Sequence, residues 1–369
     1  MNIKEVSTRY YTSPNTFVLE NGDSLPQITI AYEVYGKLNA EKNNAILILH
    51  ALTGDAHVAG YHQGDNDPGW WDDMIGPEKA FDTNKYFIIC ANVLGGCKGS
   101  TGPSSLNPLT NKQYGLDFPV ISIGDMVNAQ IRLIDYLGIQ SLLAVAGGSM
   151  GGMQVIEWMF NHNERIHSAI PISIAFRHSP QQIAFNEVGR QAIMSDPKWN
   201  GGNYTGNVFP SRGLAVARMI GHITYMSDKS MAEKFGRRIE ETRHPFKFTA
   251  DFEVERYLHY RGKKFVNRFD ANSYLYITKA MDLYDIPKMK KPQDLLKDSN
   301  LKMLIIAFKS DWLYPAYQTK EIVRVCKLAG LDTTYCEIES DYGHDAFLLE
   351  IDEESHLIKH FLERVINEH

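Results

Sequence analysis

The chain has 369 residues, 44% of them hydrophobic and 22% charged, which is enough apolar mass for a large globular core. Its net charge of −6 argues against nucleic acid or an anionic membrane surface as a partner. No apolar run approaches membrane-spanning length, and the first residues, Met1 to Glu5, lack the apolar centre of a signal peptide.

Residues 16–20 and 28–35 flank Asn21-Gly22 and predict an antiparallel hairpin, since Asn-Gly supplies the positive φ angles of a tight turn. Short apolar strands then alternate with helices, the pattern of a parallel sheet covered on both faces. Ala45–Leu49 and residues 86–91 are strands. Residues 124–137 carry an apolar stripe of Met126, Ala129, Ile131, Leu133, Ile134 and Leu137, which predicts a helix. Residues 142–146 read as a strand, 153–160 as a helix apolar on nearly every face, and 169–174 as another strand. From about 178 to about 285 the strand pattern stops. Charged, Met-, Arg- and Tyr-rich helical segments replace it, such as 212–225 and 231–242. The alternation resumes with a strand at Lys302–Phe308, a helix at 317–328, a strand at 334–338 and a closing helix at about 352–366. Residues 1–177 and 286–369 are therefore expected to form one α/β core, a mostly parallel sheet flanked by helices. Residues 178–285 are expected to be inserted in it as a helical lid.

Between the 142–146 strand and the helix after it lies Gly147-Gly148-Ser149-Met150-Gly151-Gly152. A strand, G-x-S-x-G and a helix together make a nucleophile elbow, in which a strained serine is held up between the two elements. The glycines suit positions where a Cβ would collide with the neighbouring strand and helix. A serine hydroxyl is a weak nucleophile and needs a base held by a third group. In this architecture the acid follows the serine in the chain and the histidine follows the acid. Asp311 lies just past the Lys302–Phe308 strand, and His344 lies just past the 334–338 strand. Loops at the carboxyl ends of parallel strands converge, so Ser149, Asp311 and His344 are expected to meet. Taken singly, Asp311 reads equally well as a turn aspartate and His344 as one of 13 histidines on a loop. Order and strand context favour the triad. The oxyanion hole is assigned to the backbone N–H groups of Met150 and of Leu52, in the loop after the Ala45–Leu49 strand. His50 and His57 fall in the wrong loop to be the base and are read as loop-structuring residues.

Other signatures fail on spacing. The His162–His167 stretch is not H-E-x-x-H, and the glycine-rich loop from Gly95 to Gly102 lacks P-loop order, so no metal site is expected. The four cysteines, Cys90, Cys97, Cys326 and Cys336, form no C-x-x-C pair and read as reduced thiols of a cytosolic protein. Cys97 is read as a small loop filler in preference to a reactive thiol.

Several stretches together resemble the homoserine O-acyltransferases, enzymes of methionine biosynthesis with the α/β-hydrolase fold. They are His50-Ala51-Leu52-Thr53-Gly54-Asp55, Pro68-Gly69-Trp70-Trp71-Asp72, the loop from Asn92 to Pro103, the elbow itself, Gly189-Arg190-Gln191-Ala192-Ile193, and Gly343-His344-Asp345-Ala346-Phe347-Leu348. The resemblance spans nearly the whole chain. It implies an acyl-CoA:L-homoserine O-acyltransferase working by a ping-pong route through an acyl-Ser149 intermediate. The donor is acetyl-CoA in the reading taken, with succinyl-CoA as the alternative, and no cofactor is permanently bound. It further implies Arg218, Tyr225 and Asp345 as acceptor-binding residues, with an arginine fork for the carboxylate and Asp345 for the ammonium. Their bland readings are a surface helix charge, a half-buried helix aromatic and a helix N-cap. Arg190 is a pocket candidate with no assigned role. A cytoplasmic homodimer is implied as well, associating through the lid. Rival readings are a serine O-acyltransferase, an esterase or thioesterase using the same triad, and a non-catalytic binding protein.

Overall fold

The computed structural model describes residue 3 and residues 5–204, 206, 208–239, 250–286, 291–297 and 299–368. Eight strands form the main sheet: β1 (Arg9–Ser13), β2 (Ile28–Tyr35), β3 (Ala45–Leu49), β4 (Phe87–Ala91), β5 (Ala144–Gly148), β6 (Ser168–Ile172), β7 (Lys302–Phe308) and β8 (Asp332–Ile338). Their spatial order is β1-β2-β4-β3-β5-β6-β7-β8. β1 and β2 run antiparallel to their neighbours, and every pairing from β4 to β8 is parallel. This is the α/β-hydrolase fold.

Alternation along β3 shows how the sheet makes two cores. Ala45, Leu47 and Leu49 face one apolar cluster and Ile46 and Ile48 the other. The first cluster takes the apolar faces of α1 (Ile123–Tyr136), α2 (Met150–Asn161) and, further along, α8 (Ala316–Leu328). The second is closed by α9 (Ile351–Asn367), through Ile358, Phe361, Leu362 and Val365. Helix α1 starts at a capping box in which Ser122 Oγ accepts from Asp125 N–H and the Asp125 carboxylate accepts from Ser122 N–H, both at 2.9 Å.

Between β6 and β7 the chain forms α3 (Pro180–Met194), α4 (Ser211–Tyr225), α5 (Asp228–Phe235), α6 (Glu253–Val266) and α7 (Ala271–Leu283). α4 packs between α3 and α6. The ends of this excursion meet: Arg177 and Asp285 form an antiparallel bridge, and Ile286 N–H donates to Phe176 O at 3.3 Å.

Two expectations need correction. The turn at Asn21-Gly22 joins Phe17–Val18 to Ser24–Leu25, and not to residues 28–35. β2 instead pairs with β1 and β4, because its mostly buried side chains belong inside the large sheet. The helix expected over 231–242 is α5, which ends where Gly236 takes φ 52°. Residues 240–242 of that stretch lie outside the described residues.

Candidate active site

β5 ends at Gly148 and α2 begins at Met150, so Ser149 alone makes the turn between them. It does so at φ 56°, ψ −125°, a conformation that costs a non-glycine residue about 1–3 kcal/mol. The surroundings enforce it. Ser149 N–H donates to Ile172 O on β6, and Ser149 O accepts from Met153 N–H, both at 3.1 Å. A Cβ at Gly151 would drive into the carbonyl of Leu49 on β3, and one at Gly147 would lie 2.5 Å from the same oxygen. The glycines therefore let α2 descend onto the sheet directly behind the serine.

Asp311 follows β7 in a tight loop. Its Oδ1 accepts from the N–H groups of Leu313 at 3.0 Å and Tyr314 at 2.8 Å, which fixes the carboxylate plane. Its Oδ2 accepts from His344 Nδ1 at 2.7 Å. His344 sits in a short 3-10 helix, Gly343–Leu348, after β8. Gly343 holds φ 79° there, and a Cβ on it would fall 2.5 Å from Ser227 N. Both Asp311 and His344 are buried. The proton shared with Asp311 occupies Nδ1, so His344 Nε2 is left as an acceptor, the state a general base needs.

Tyr314 stands beside both groups: its ring stacks on His344 at 5.0 Å, and it lines the same cavity as Ser149. Among the described residues, His344 and Ser149 share no formed hydrogen bond; such links are commonly long in unliganded sites and tighten with substrate. Leu52 lines the same cavity as Ser149, and Met150 is the first residue of α2. Among the described residues, neither Leu52 N–H nor Met150 N–H has a backbone acceptor, so both donors are available.

Arg218 on α4 extends toward the Leu52 loop, where its Nη1 donates to Thr53 Oγ1 at 3.2 Å. Its guanidinium lies over the rings of Phe265 at 4.9 Å and Tyr225 at 5.6 Å. The Tyr225 ring is 6.0 Å from His344. Asp345 follows His344 directly; burial raises its carboxyl pKa, while His344 and Arg218 act to lower it. Arg218, Tyr225 and Asp345 thus stand around the same histidine.

The structure adds a second histidine–aspartate pair that the sequence reading did not find. His178 Nδ1 donates to Asp282 Oδ1 at 2.8 Å, and His178 Nε2 accepts from the Tyr314 hydroxyl at 2.6 Å. Asp282 also takes Arg190 Nη1 on Oδ2 and Asn186 Nδ2 on Oδ1, both at 2.7 Å, which gives Arg190 its place. With Nδ1–H given to Asp282, His178 Nε2 can only accept, so the Tyr314 hydroxyl is held as the donor to it. Tyr314→Phe keeps the ring stack and the N–H bond to Asp311. It strips His178 Nε2 of its partner inside the protein. We expect a stability loss of about 1–3 kcal/mol in chemical denaturation, with the midpoint falling and the slope unchanged.

His50 and His57 are bound into their loops. His50 Nε2 accepts from Val93 N–H at 3.1 Å, and burial lowers its pKa. His57 Nδ1 donates to Glu33 Oε2 at 3.1 Å. Glu33, His57 and His62 place possible metal-ligand atoms within 4.8 Å of one another. Each Glu33 oxygen already accepts two protein donors, from Thr8 and His62 on one side and Tyr35 and His57 on the other. The set accounts for itself as a hydrogen-bonded buried carboxylate. Burial pushes the Cys97 thiol up to about 11, and Asp270 N–H donates to its sulfur at 3.4 Å, so it is no nucleophile at neutral pH.

Comparison with known proteins follows the same lines. A family model for the alpha/beta hydrolase fold matches residues 44–351. The chain is 59% identical over 362 residues to the homoserine O-acetyltransferase of Methanohalobium evestigatum, covering 98% of this chain and 74% of that protein. It is 56% identical over 364 residues to the homoserine O-acetyltransferase of Deferribacter desulfuricans, covering 98% and 97%. The crystal structure of homoserine O-acetyltransferase from Bacillus anthracis superposes with a TM-score of 0.91 at 30% identity, covering 98% of each chain. Esterase E22 superposes nearly as well, with a TM-score of 0.88 at 30% identity over 97% of this chain and 100% of that one.

Proposed function

Because the chain belongs to the homoserine O-acetyltransferases of the α/β-hydrolase superfamily, we propose that its acetyl transfer runs through an acetyl-enzyme on Ser149. The donor is acetyl-CoA and the acceptor is the γ-hydroxyl of L-homoserine. Ser149 Oγ attacks the thioester carbonyl as His344 Nε2 takes its proton, and Asp311 stabilises the imidazolium that forms. The N–H groups of Leu52 and Met150 hold the oxyanion. The C–S bond breaks, and CoA leaves as the thiol with the proton from His344. Homoserine then enters, and His344 removes the γ-hydroxyl proton as the oxygen attacks the acetyl carbon. Collapse of the second tetrahedral intermediate returns the proton to Ser149 and frees O-acetyl-L-homoserine.

The observation that carries the acetyl reading is the size of the cavity beside Ser149. It holds about 40 Å³. The cavity is narrow and lined largely by apolar and aromatic side chains, among them Leu52, Phe185, Ile220, Tyr274 and Tyr314, which suits a short uncharged acyl group. A succinyl group is larger and brings a carboxylate. The cation behind this wall, Arg190, is already committed to Asp282 and Glu187.

Since esterases share this fold, water exclusion must separate transfer from hydrolysis. We assign that role to residues 178–285 as a lid over the core formed by 1–177 and 286–369. The deciding experiment follows free thiol release from acetyl-CoA and succinyl-CoA, each with and without L-homoserine. A single equivalent of thiol per enzyme from acetyl-CoA alone, and sustained release only with homoserine, is expected. Release indifferent to homoserine would make the protein a hydrolase, and a preference for succinyl-CoA would overturn the donor.

The acceptor is zwitterionic, and Arg218 and Asp345 offer it opposite charges beside His344. Arg218→Gln removes the charged fork. The KM for homoserine should rise roughly 10- to 100-fold with little change in the rate of acetyl-enzyme formation. Stopped-flow thiol release without acceptor separates the two steps, and an unchanged homoserine KM would sink the assignment.

Location and assembly extend the reading. Among the described residues no helix is long and apolar enough to cross a membrane, and the four cysteines are unpaired, which suits the reducing cytoplasm. Val188 on α3 and Val216 and Ile223 on α4 are exposed apolar residues on the proposed lid, which suits a homodimer formed there. Sedimentation velocity, repeated on Val188→Asp, tests that contact.

A further inference from the structure

Three side chains with polar groups lie buried where α1 meets α2: Gln130 on α1, and Gln154 and Trp158 on α2. Each is at most 1% exposed. Hydrogen bonds link them in series. Trp158 Nε1–H donates to Gln130 Oε1 at 2.9 Å, and Gln130 Nε2–H donates to Gln154 Oε1 at 2.6 Å. Gln154 Nε2–H then donates to two carbonyls, Met150 O at 3.2 Å and His50 O at 3.4 Å.

The series can run only in this direction. An indole N–H donates and never accepts, so Gln130 turns its oxygen to Trp158 and its NH₂ to Gln154. Gln154 in turn gives its oxygen to Gln130 and its NH₂ to the carbonyls. Those carbonyls belong to the two sides of the proposed oxyanion hole. Met150 carries one of the donors on its own N–H, and His50 lies two residues before Leu52, which carries the other. The approach is close, since a Cβ on Gly151 would sit 3.3 Å from His50 O. His50 is itself buried and fixed at both ring nitrogens. Its Nδ1–H donates to Ala51 O at 2.8 Å, and its Nε2 accepts from Val93 N–H. Gly54 N–H also donates to Ala51 O, at 2.9 Å. The turn that carries Leu52 is thus closed on itself, and Gln154 ties it to α2.

Apolar side chains could fill the same interface without desolvating two amides and an indole. They could not supply a donor of fixed direction between the two segments. We propose that Gln154 is a positioning residue for the oxyanion hole, holding the Leu52 loop in register with the first turn of α2, and that Gln130 and Trp158 orient its amide. Oxyanion donors act by being in place before charge develops, and a shift of about 1 Å forfeits much of their effect. The inference rests on Leu52 and Met150 being those donors.

The test uses two variants. Gln154→Met keeps an unbranched side chain on the helix and removes the donor. Gln154→Glu keeps the acceptor for Gln130 and, protonated by burial, has one hydrogen for two carbonyls. In Gln154→Met the rapid-quench rate constant for acetyl-enzyme formation should fall roughly 10- to 100-fold, while the Ki of CoA stays within about twofold. Gln154→Glu should recover part of the loss. Methylboronic acid reads the hole without turnover. Its boron takes up Ser149 Oγ, the serine proton passes to His344, and the anionic tetrahedral adduct puts a methyl group in the acyl cavity and an oxygen in the hole. Its Ki should rise in step with the loss of rate. A lowered denaturation midpoint, with the rate constant and the boronic acid Ki both within about twofold of wild type, overturns the proposal, because Gln154 would then serve the core alone. A loss of CoA affinity equal to the loss of rate overturns it as well. A boronic acid Ki that is the same in the wild type and in Ser149→Ala would remove the acetyl-enzyme reading itself, and the proposal with it.

Discussion

Ser149→Ala is expected to lower kcat for homoserine acetylation by about 10⁴- to 10⁶-fold, and His344→Ala should come within about tenfold of it. The substitution is a clean one. Alanine carries the same Cβ at the same positive φ, so the elbow keeps its backbone and loses only the oxygen. What survives is the pull of the Leu52 and Met150 N–H groups on the carbonyl, together with binding. The double variant Ser149→Ala/His344→Ala should be no slower than either single one, because the two groups act as one unit on one proton. Rapid quench and intact-protein mass measurement after acetyl-CoA alone provide a second readout. The wild type should carry one acetyl group, and Ser149→Ala should carry none. Acetylation persisting in Ser149→Ala would place the nucleophile elsewhere and dismantle the proposed mechanism.

The parts that the sequence announces are those where a backbone requirement dictates residue type. Gly147 and Gly151 are glycines because α2 crosses Leu49 O too closely for a Cβ, and that constraint shows as a five-residue pattern. The parallel strands are short and apolar because both faces are covered, which made β3 to β7 readable. Edge strand β1 was missed for the opposite reason. Arg-Tyr-Tyr-Thr-Ser is mostly exposed, and its pairing with β2 depends on a partner 19 residues away. In the His178–Asp282–Tyr314 chain each bond to His178 spans more than 100 positions, and His178 and Tyr314 lie in loops while Asp282 is on α7, so no spacing can reveal it.

Asp311→Asn is the second large effect, expected to lower kcat by about 10⁴-fold with the fold intact. The reason lies in the hydrogen bonds of the loop. Asp311 Oδ1 is held by two backbone donors, Leu313 N–H and Tyr314 N–H. In the asparagine variant the amide oxygen must take that position, since the amide nitrogen cannot accept. The NH₂ group then falls where Oδ2 was, facing His344 Nδ1, 2.7 Å away in the native pair. It donates to Nδ1, and the imidazole must carry its proton on Nε2. A histidine presenting N–H to Ser149 cannot remove the serine proton, however well the ring is placed. Both half-reactions use the same base, so acetyl-enzyme formation and transfer to homoserine should slow together, while both KM values stay near their wild-type level. Nitrogen NMR of labelled histidine should show the tautomer reversed. A variant within tenfold of wild type would mean that Asp311 only anchors its loop, and that a different group orients His344.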